Sequence, residues 1–85
     1  MAHDANNLAA ARETVREVMR HVGLLYRHKK TGGVYLVTGV CVSEATLEAC
    51  VLYGCVSERQ TQPVFSWSRP AAEFLDGRFE RVTEG

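Results

Sequence analysis

The feature that most limits the possible folds of this chain is a change in the spacing of its apolar residues at Gly23. From Leu8 to Val22, apolar side chains recur every three or four residues, which places them on one stripe of an amphipathic helix. After Gly23 the apolar residues fall into short β-branched and aromatic runs separated by polar turns, as is typical of strands. The sequence therefore predicts one helix followed by a β-rich region.

The predicted helix carries recognisable signals at both ends. Asp4, Asn6 or Asn7 can accept a hydrogen bond from a free backbone amide and so begin the helix. Gly23 can adopt the left-handed conformation that ends it. The apolar stripe needs a partner surface, which is either the β-rich region or the same stripe in a second copy of the chain. Because a two-fold contact lets one stripe cover another, we expect a homodimer through this helix.

The β-rich region has its own turn signals. Residues 30–33, with two glycines, form a turn that lets adjacent strands reverse as a tight hairpin. The polar connectors 43–48 and 57–62 have the length usual between antiparallel neighbours, so the strands should form a meander. Phe79–Val82 is a fifth strand or an extended tail. The four preceding strands are predicted at Leu24–Lys29, Val34–Val42, Ala49–Val56 and Pro63–Ser68.

A short helical turn should follow the fourth strand. It begins at Ser68 or Arg69, and Pro70 lies in its first turn, where a missing amide hydrogen costs little. The predicted fold class is mainly β (α+β), a small antiparallel β-barrel of four to five strands preceded by one helix. The predicted divisions are residues 1–23 for the helix, 24–82 for the barrel and 83–85 for a frayed tail.

The composition is that of one small folded domain with no global electrostatic field. Hydrophobic residues make up 46% and charged residues 24% of the 85 residues, unlike a disordered chain. Ten basic and ten acidic residues leave no net charge to attract nucleic acid or an anionic membrane. The amino terminus resembles no signal peptide, and no window approaches the roughly 20 apolar residues that span a bilayer. We therefore expect a cytoplasmic protein with no membrane partner.

The three cysteines are expected to be reduced, because their odd number and spacing do not form a disulfide framework. If the strands on either side of residues 43–48 pair, Cys41 falls opposite Cys50, with Cβ atoms about 5 Å apart. Such a pair could form a reversible disulfide or share a metal ion. Alternatively, both thiols are inert small hydrophobic groups. No further ligand spacing supports zinc, so no metal site and no cofactor are predicted.

Several aromatic, basic and glycine residues between Leu25 and Val82 have a distinctive spacing. They are Tyr26-Arg27-His28, Tyr35, Gly39, Thr46-Leu47-Glu48, Val51, Tyr53, Trp67-x-Arg69-Pro70, Phe74 and Arg78-Phe79. This spacing, over about two thirds of the chain, resembles DUF1653, a family of uncharacterised bacterial and phage proteins. The resemblance implies a small SH3-like barrel and brings no established activity. Residues 43–46, Ser-Glu-Ala-Thr, stand where the family has His-Ser-Glu-Thr, and the amino-terminal helix lies outside the resemblance.

Two segments each place an aromatic ring beside a cation, residues 26–29 and residues 67–69. This combination suits recognition of flat or anionic groups. Trp67 and Arg69 are two residues apart, so in a strand they share a face. Arg27 and Lys29 could likewise hold a phosphate or a carboxylate. The predicted ligand-binding patch consists of Tyr26, Arg27, His28, Glu48, Tyr53, Trp67 and Arg69.

Each part of this patch has a structural alternative. Trp67 could fill the barrel interior, with Arg69 in an ion pair with Glu48 or Glu73. The basic hairpin could be a solvated edge that discourages pairing with another sheet. His28 is the best candidate for acid–base chemistry, because an imidazole exchanges protons near neutral pH, but the sequence offers it no evident partner.

The function predicted from these residues is a non-catalytic binding module for a peptide, a partner protein or a nucleotide-like small ligand. One alternative is an accessory domain for single-stranded nucleic acid, since small barrels often use a basic face with aromatic residues for single strands. Another is a purely structural or dimerisation protein. A third hypothesis is an enzyme that uses His28 with Glu48, but the sequence contains no catalytic motif that supports it.

Overall fold

The computed structural model describes residues 5–83, which form one β-sheet and two helices. Asp4, a predicted cap residue, and the last two residues of the predicted frayed tail lie outside the described residues. Asn6 and Asn7 lie inside the first helix, so neither is the residue that precedes it. In chain order the elements are α1 (Ala5–Met19), β1 (Leu25–His28), β2 (Val34–Val42), β3 (Ala49–Cys55), β4 (Trp67–Pro70), α2 (Ala71–Phe74) and β5 (Phe79–Arg81).

The five strands lie in the order β4-β3-β2-β1-β5, and each is antiparallel to its neighbours. The first four strands form the predicted meander, and β5 returns to pair with β1. Strands β4 and β5 are the two edges and do not pair with each other, so over residues 5–83 the sheet is open. The mainly β fold with an amino-terminal helix is confirmed, whereas closure into a barrel stays a prediction.

The β2–β3 hairpin has the predicted register next to its connector, and a glycine forms part of the predicted β1–β2 turn. Gly32 has a φ of 79° in the β1–β2 turn, a conformation that glycine adopts without steric cost. In the β2–β3 hairpin Cys41 lies directly opposite Cys50, as predicted from the length of the connector. The register shifts by one residue between Val37 and Gly39. Such a bulge bends the strand and increases its local twist.

Helix α1 packs against β2 and β3 of its own chain. Ala11 is buried at this contact and Val18 is fully buried, so part of the apolar stripe is covered within the protomer. The helix ends at Met19, and Gly23, with a φ of 87°, donates its amide hydrogen to the Val37 carbonyl at 2.8 Å. This bond fixes the end of the helical segment to the sheet. No helix among the described residues is long and apolar enough to cross a membrane.

The core lies on one side of the sheet. Directly opposed residues of neighbouring strands share a face, so Val37, Tyr53 and Trp67 lie on the same side, which we call the inner face. Val18 from α1 and Phe74 from α2 pack against this face and are among the most deeply buried side chains. The two helices therefore cover part of the inner face and leave another part open.

The segment before β4 differs from its prediction. The sequence predicts a strand over Pro63–Ser68, but β4 begins at Trp67, and the predicted helical turn begins later too, at Ala71. Upstream of β4 the chain crosses over Gly54, where an added Cβ would meet the Pro63 ring and lie 2.6 Å from the Phe65 carbonyl oxygen. Residues 63–65, although they have a strand-like composition, therefore pack over β3 at Gly54 and do not extend β4.

Candidate functional site

The open part of the inner face forms a concavity of about 550 Å³. Strands β1 to β5 all contribute to it, because the inner face alternates with the outer face along each strand. Its wall combines aromatic rings with a few polar groups. The lining residues are His28, Thr31, Tyr35, Tyr53, Trp67, Ser68, Arg69, Pro70, Glu73 and Phe79. We call this site the aromatic concavity.

Aromatic rings in mutual contact build the floor of the aromatic concavity. Tyr35 and Tyr53 meet edge to face with their centroids 5.4 Å apart, and Tyr53 meets Phe79 in the same way at 5.5 Å. Phe79 stacks on the buried Phe74 of α2 with centroids 4.4 Å apart. Edge-to-face and offset pairs are favoured by the ring quadrupoles. The floor is therefore anchored in the hydrophobic core and held in a defined orientation.

Arg69 is held across this floor by two contacts. Its Nε donates a hydrogen bond to the Tyr53 hydroxyl at 3.1 Å, and its guanidinium carbon lies 5.7 Å from the centre of the Phe79 ring. The hydrogen bond to Tyr53 raises the pKa of Arg69, with burial acting in the opposite direction, so the group stays charged. No carboxylate of residues 5–83 forms an ion pair with Arg69. The predicted alternative of an ion pair with Glu48 or Glu73 is therefore wrong.

Trp67 lies at the rim of the aromatic concavity. It is opposite Tyr53 in the β3–β4 pairing, yet 52% of its surface is exposed, because neither helix reaches this end of the inner face. Phe65, which is also exposed, meets it edge to face with centroids 5.1 Å apart. The alternative in which Trp67 fills the interior is wrong. The two rings form an apolar lip beside the guanidinium of Arg69.

His28 lies at the opposite end of the site, half-buried against Phe79 with ring centroids 4.9 Å apart. The backbone amide of Thr31 donates a hydrogen bond to its Nδ1 at 3.3 Å. A ring nitrogen that accepts a hydrogen bond carries no proton, so the neutral imidazole carries its proton on Nε2. Among the described residues no carboxylate bonds to the ring. His28 can therefore act as a donor toward a ligand.

Four of the seven predicted patch residues meet at this site, namely His28, Tyr53, Trp67 and Arg69. Tyr26 does not join them, because it is buried in the core against Phe74 and its hydroxyl bonds to the His21 ring. Burial raises the pKa of the Tyr26 hydroxyl, and the charge of Arg81 lowers it by a smaller amount. Tyr26 is therefore too buried to contact a ligand in the predicted patch.

The other two predicted residues also lie elsewhere. Arg27 is on the outer face, where its Nη1 pairs at 3.4 Å with Glu80 of the neighbouring strand β5. Arg27 therefore cannot share a ligand with His28, since successive strand residues point to opposite faces. Glu48 lies in the β2–β3 connector and lines a separate concavity of about 320 Å³ between that connector and the two helices. The sequence-based placement of both residues in the patch is wrong.

Several residues of the site were not predicted as ligand contacts. Tyr35 and Phe79 supply much of its floor, and Glu73 supplies a carboxylate at its wall. Tyr35 was not predictable from the sequence, because the connector length alone places Thr38 opposite Tyr53. The register shift between Val37 and Gly39 is what brings Val37 and Tyr35 to the inner face. Phe79 was not predictable either, because only the return of β5 to β1 brings it opposite His28.

No cysteine lines the aromatic concavity; Cys41 and Cys50 are opposed on the outer face, and Cys55 is exposed opposite Tyr35. All three are free thiols. The Sγ of Cys41 is 3.9 Å from the Ser68 hydroxyl. Burial raises the pKa of the Cys50 thiol, and a hydrogen bond from Ser68 partly offsets that rise. Within the described part of the chain, no three His, Cys, Asp or Glu side chains cluster as a metal site would require.

No protein-family model, curated protein or solved structure matches this chain. The resemblance to DUF1653 therefore stays a prediction.

Proposed function

We propose that the protein is a small non-catalytic binding module and that the aromatic concavity recognises a ligand with a planar ring and an anionic group. The observation that carries this proposal is the guanidinium of Arg69, which is held in place beside the exposed ring of Trp67 and forms no ion pair with a carboxylate of residues 5–83. An aromatic lip alone would fit many apolar partners. The adjacent cation restricts the ligand to one that also carries negative charge.

The energetics of the two groups support recognition. Stacking of a ring on an exposed aromatic side chain contributes about 1–3 kcal/mol. Arginine can bind a carboxylate or phosphate with two parallel hydrogen bonds, and its Nη atoms have no carboxylate partner among residues 5–83. Because Tyr53 and Phe79 already hold the guanidinium, the Arg69 side chain loses little further conformational entropy when a ligand binds.

Binding without catalysis is proposed because the site lacks a coherent set of reacting groups. Among residues 5–83, His28 is the one imidazole that lines the aromatic concavity, and its Nδ1 accepts a hydrogen bond from the Thr31 amide rather than facing an orienting carboxylate. A general base normally needs such an orienting partner and a nucleophile within hydrogen-bond reach. Glu48, the acid–base partner considered from the sequence, lines a different concavity.

Finer features of the proposal follow from the sequence. We propose a cytoplasmic location and membership of the DUF1653 family. We also propose that the five-stranded sheet is curved strongly enough to form an SH3-like barrel. A homodimer is proposed through the uncovered end of the α1 stripe, where Met19 and Val22 are exposed. The oligomeric state can be read from light scattering at tens of micromolar protein, and a monomer mass would contradict the dimer.

The proposed site can be tested with anilinonaphthalene sulfonate, a fluorescent probe that combines planar rings with an anion. We expect saturable binding of one probe per chain, weakened about tenfold by Arg69→Met, because a charged hydrogen-bonding partner is lost. Arg27→Met is the matched control, since Arg27 is an exposed arginine on the outer face. Circular dichroism must show that each variant is folded, because the probe also binds partly unfolded states. Equal probe affinity in both variants would refute the proposed site.

A further inference from the structure

A second concavity, of about 540 Å³, adjoins the aromatic concavity. It is lined by His28, Lys29, Lys30, Arg69, Gly77 and Arg78. His28 and Arg69 line both concavities, so these two side chains form a wall that the concavities share. We call the second one the cationic concavity, because four of its lining side chains are lysine or arginine.

Backbone pairing holds the cationic concavity together. The amide of Lys29 donates to the Arg78 carbonyl at 2.9 Å, which joins the β1–β2 turn to the turn between α2 and β5. Asp76 accepts a hydrogen bond from the Arg78 amide at 3.1 Å and orders the second turn. Gly77 adopts a φ of 103° there. Two segments that are remote in sequence are thereby fixed side by side.

The charges of the cationic concavity are only partly matched. The Nε of Arg78 pairs with Asp76 at 2.9 Å, and its Nη1 pairs with Glu73 at 3.4 Å. By contrast, Lys29 and Lys30 have no ion-pair partner among the residues that the structure describes. Lys29, Lys30 and Arg69 therefore leave a local positive field in a chain whose net charge is zero. An anion is the ligand that this field favours.

We propose that the two concavities together bind a nucleoside phosphate. This inference rests on the proposed function and names its ligand. The base lies in the aromatic concavity, stacked on Trp67, and the phosphate lies in the cationic concavity, within reach of Lys29 and Lys30. Arg69, which lines both, binds the phosphate on the side that faces the base.

The polar groups of the aromatic concavity favour a nucleobase over a simple phenyl ring. Thr31 brings a hydroxyl group to its wall, and Glu73 brings a carboxylate. His28 adds an Nε2–H donor in its neutral form. Donors and acceptors around a flat ring match the polar edge of a base, whereas the edge of a phenyl ring leaves such groups unpaired. The aromatic rings alone would not make this distinction.

The extent of the positive field favours a short ligand over a long strand. One cationic concavity adjoins one aromatic concavity, which corresponds to one phosphate and one base. Long single strands are usually bound by a positively charged groove that follows several phosphates. The balance of ten basic and ten acidic residues supplies no such extended field.

The inference can be tested by intrinsic fluorescence, because Trp67 is the only tryptophan of the chain. Adenosine monophosphate, adenosine and inorganic phosphate are titrated separately at low ionic strength. We expect adenosine monophosphate to quench the fluorescence and to bind about tenfold more tightly than adenosine, because the phosphate adds charge-assisted hydrogen bonds. Equal affinities of adenosine and its monophosphate would overturn the assignment of the phosphate site.

Variants separate the two halves of the ligand. The double substitution Lys29→Gln and Lys30→Gln should reduce the affinity for adenosine monophosphate toward that for adenosine and leave adenosine binding unchanged. Arg12→Gln, which removes an exposed charge from α1, is the matched control and should change neither affinity. An unchanged monophosphate affinity in the double variant would contradict the proposed role of the two lysines.

Three further probes distinguish related ligands. Phosphotyrosine that binds as tightly as adenosine monophosphate would overturn recognition of the base. If a short oligoadenylate binds and adenosine monophosphate does not, the assignment of a mononucleotide ligand would be overturned in favour of single-stranded nucleic acid. Anilinonaphthalene sulfonate that binds while every nucleotide fails would refute this inference and leave the proposed function standing. Failure of the sulfonate and the nucleotides together would refute both.

Discussion

The inner face of the sheet has two regions of similar composition but different accessibility. In the covered region, Val37 and Val51 lie beneath α1 and α2 and are almost completely buried. In the open region, Trp67 exposes more than half of its surface although it is a large aromatic side chain, and so does Phe65, which packs against it from the segment before β4. The same sheet face thus changes from a packed core to a ring-lined concavity within the length of its strands.

Aromatic content alone therefore does not distinguish a residue of the scaffold from a residue of the site. Tyr26 and Trp67 both stood in the patch predicted from the sequence. Tyr26 is covered, and its hydroxyl is paired internally with His21. Trp67 is uncovered and lies beside a guanidinium that forms no ion pair with a described carboxylate. The covered region should therefore control stability, and the open region should control ligand affinity.

Phe74→Ala should have the largest effect on stability. Phe74 is 1% exposed and stacks on Phe79, so its truncation leaves a cavity at the centre of the covered region. A loss of about 3–5 kcal/mol in the free energy of unfolding is expected. Chemical denaturation measures it, with Phe65→Ala as an aromatic control from the open region. Equal losses in the two variants would remove the distinction between the regions.

Gly54→Ala should have the next largest effect. A Cβ at this position would meet Pro63 and lie 2.6 Å from the Phe65 carbonyl, which forces the segment before β4 to move. We expect a loss of about 1–3 kcal/mol in the free energy of unfolding and a weaker probe affinity, because that segment leads into Trp67.

Gly39→Ala is the matched control for the Gly54 substitution. Its added Cβ would lie 3.6 Å from Leu52, which is an ordinary van der Waals contact. We expect little change in stability or probe affinity in this variant. If thermal unfolding shows that the Gly39 and Gly54 variants are equally stable, the close crossing over Gly54 is not a constraint.

Tyr53→Phe should reduce stability less than the two preceding substitutions, and it should also reduce probe affinity. The substitution keeps the buried ring but removes the hydroxyl that accepts the hydrogen bond from Arg69. The expected loss is about 1 kcal/mol in the free energy of unfolding. Probe affinity should also fall, because the guanidinium is no longer held in position. Undiminished affinity, measured by fluorescence titration, would show that Tyr53 does not position Arg69.

Trp67→Ala should have the smallest effect on stability and a large effect on binding. Because Trp67 is at the rim and half exposed, we expect a change within about 0.5–1 kcal/mol in the free energy of unfolding. Calorimetric titration of anilinonaphthalene sulfonate should show much weaker binding, since a stacking surface is lost. A large loss of stability with unchanged affinity would assign Trp67 to the scaffold.

The parts of the fold that depend on local sequence were predictable. The glycine turn near Gly32 and the length of the 43–48 connector determine the hairpin registers, so the opposition of Cys41 and Cys50 followed. The start of β4 was not predictable in this way. Residues 63–65 have strand-like composition, but contact with Gly54 uses them as a cover, and that contact is tertiary.

The site was predictable only where it depends on alternation within one strand. The spacing of Trp67 and Arg69 placed both side chains on one face, and both line the aromatic concavity. The role predicted for Arg27 failed because β5 pairs with β1 and brings Glu80 opposite it. The same pairing brings Phe79 to the site. A long-range strand return of this kind leaves no signal in the local pattern of residues.

Chemical-shift changes on binding anilinonaphthalene sulfonate would locate the binding site and so test directly whether it is the open region of the inner face. In proton–nitrogen correlation spectra, we expect the largest changes on the indole of Trp67, on the Arg69 Nε–H and on residues 28–35. Residues of α1 and the outer face of β2 should change little. Changes concentrated at Met19 and Val22, with those of β4 unaffected, would contradict the claim that the open region of the inner face is the binding site.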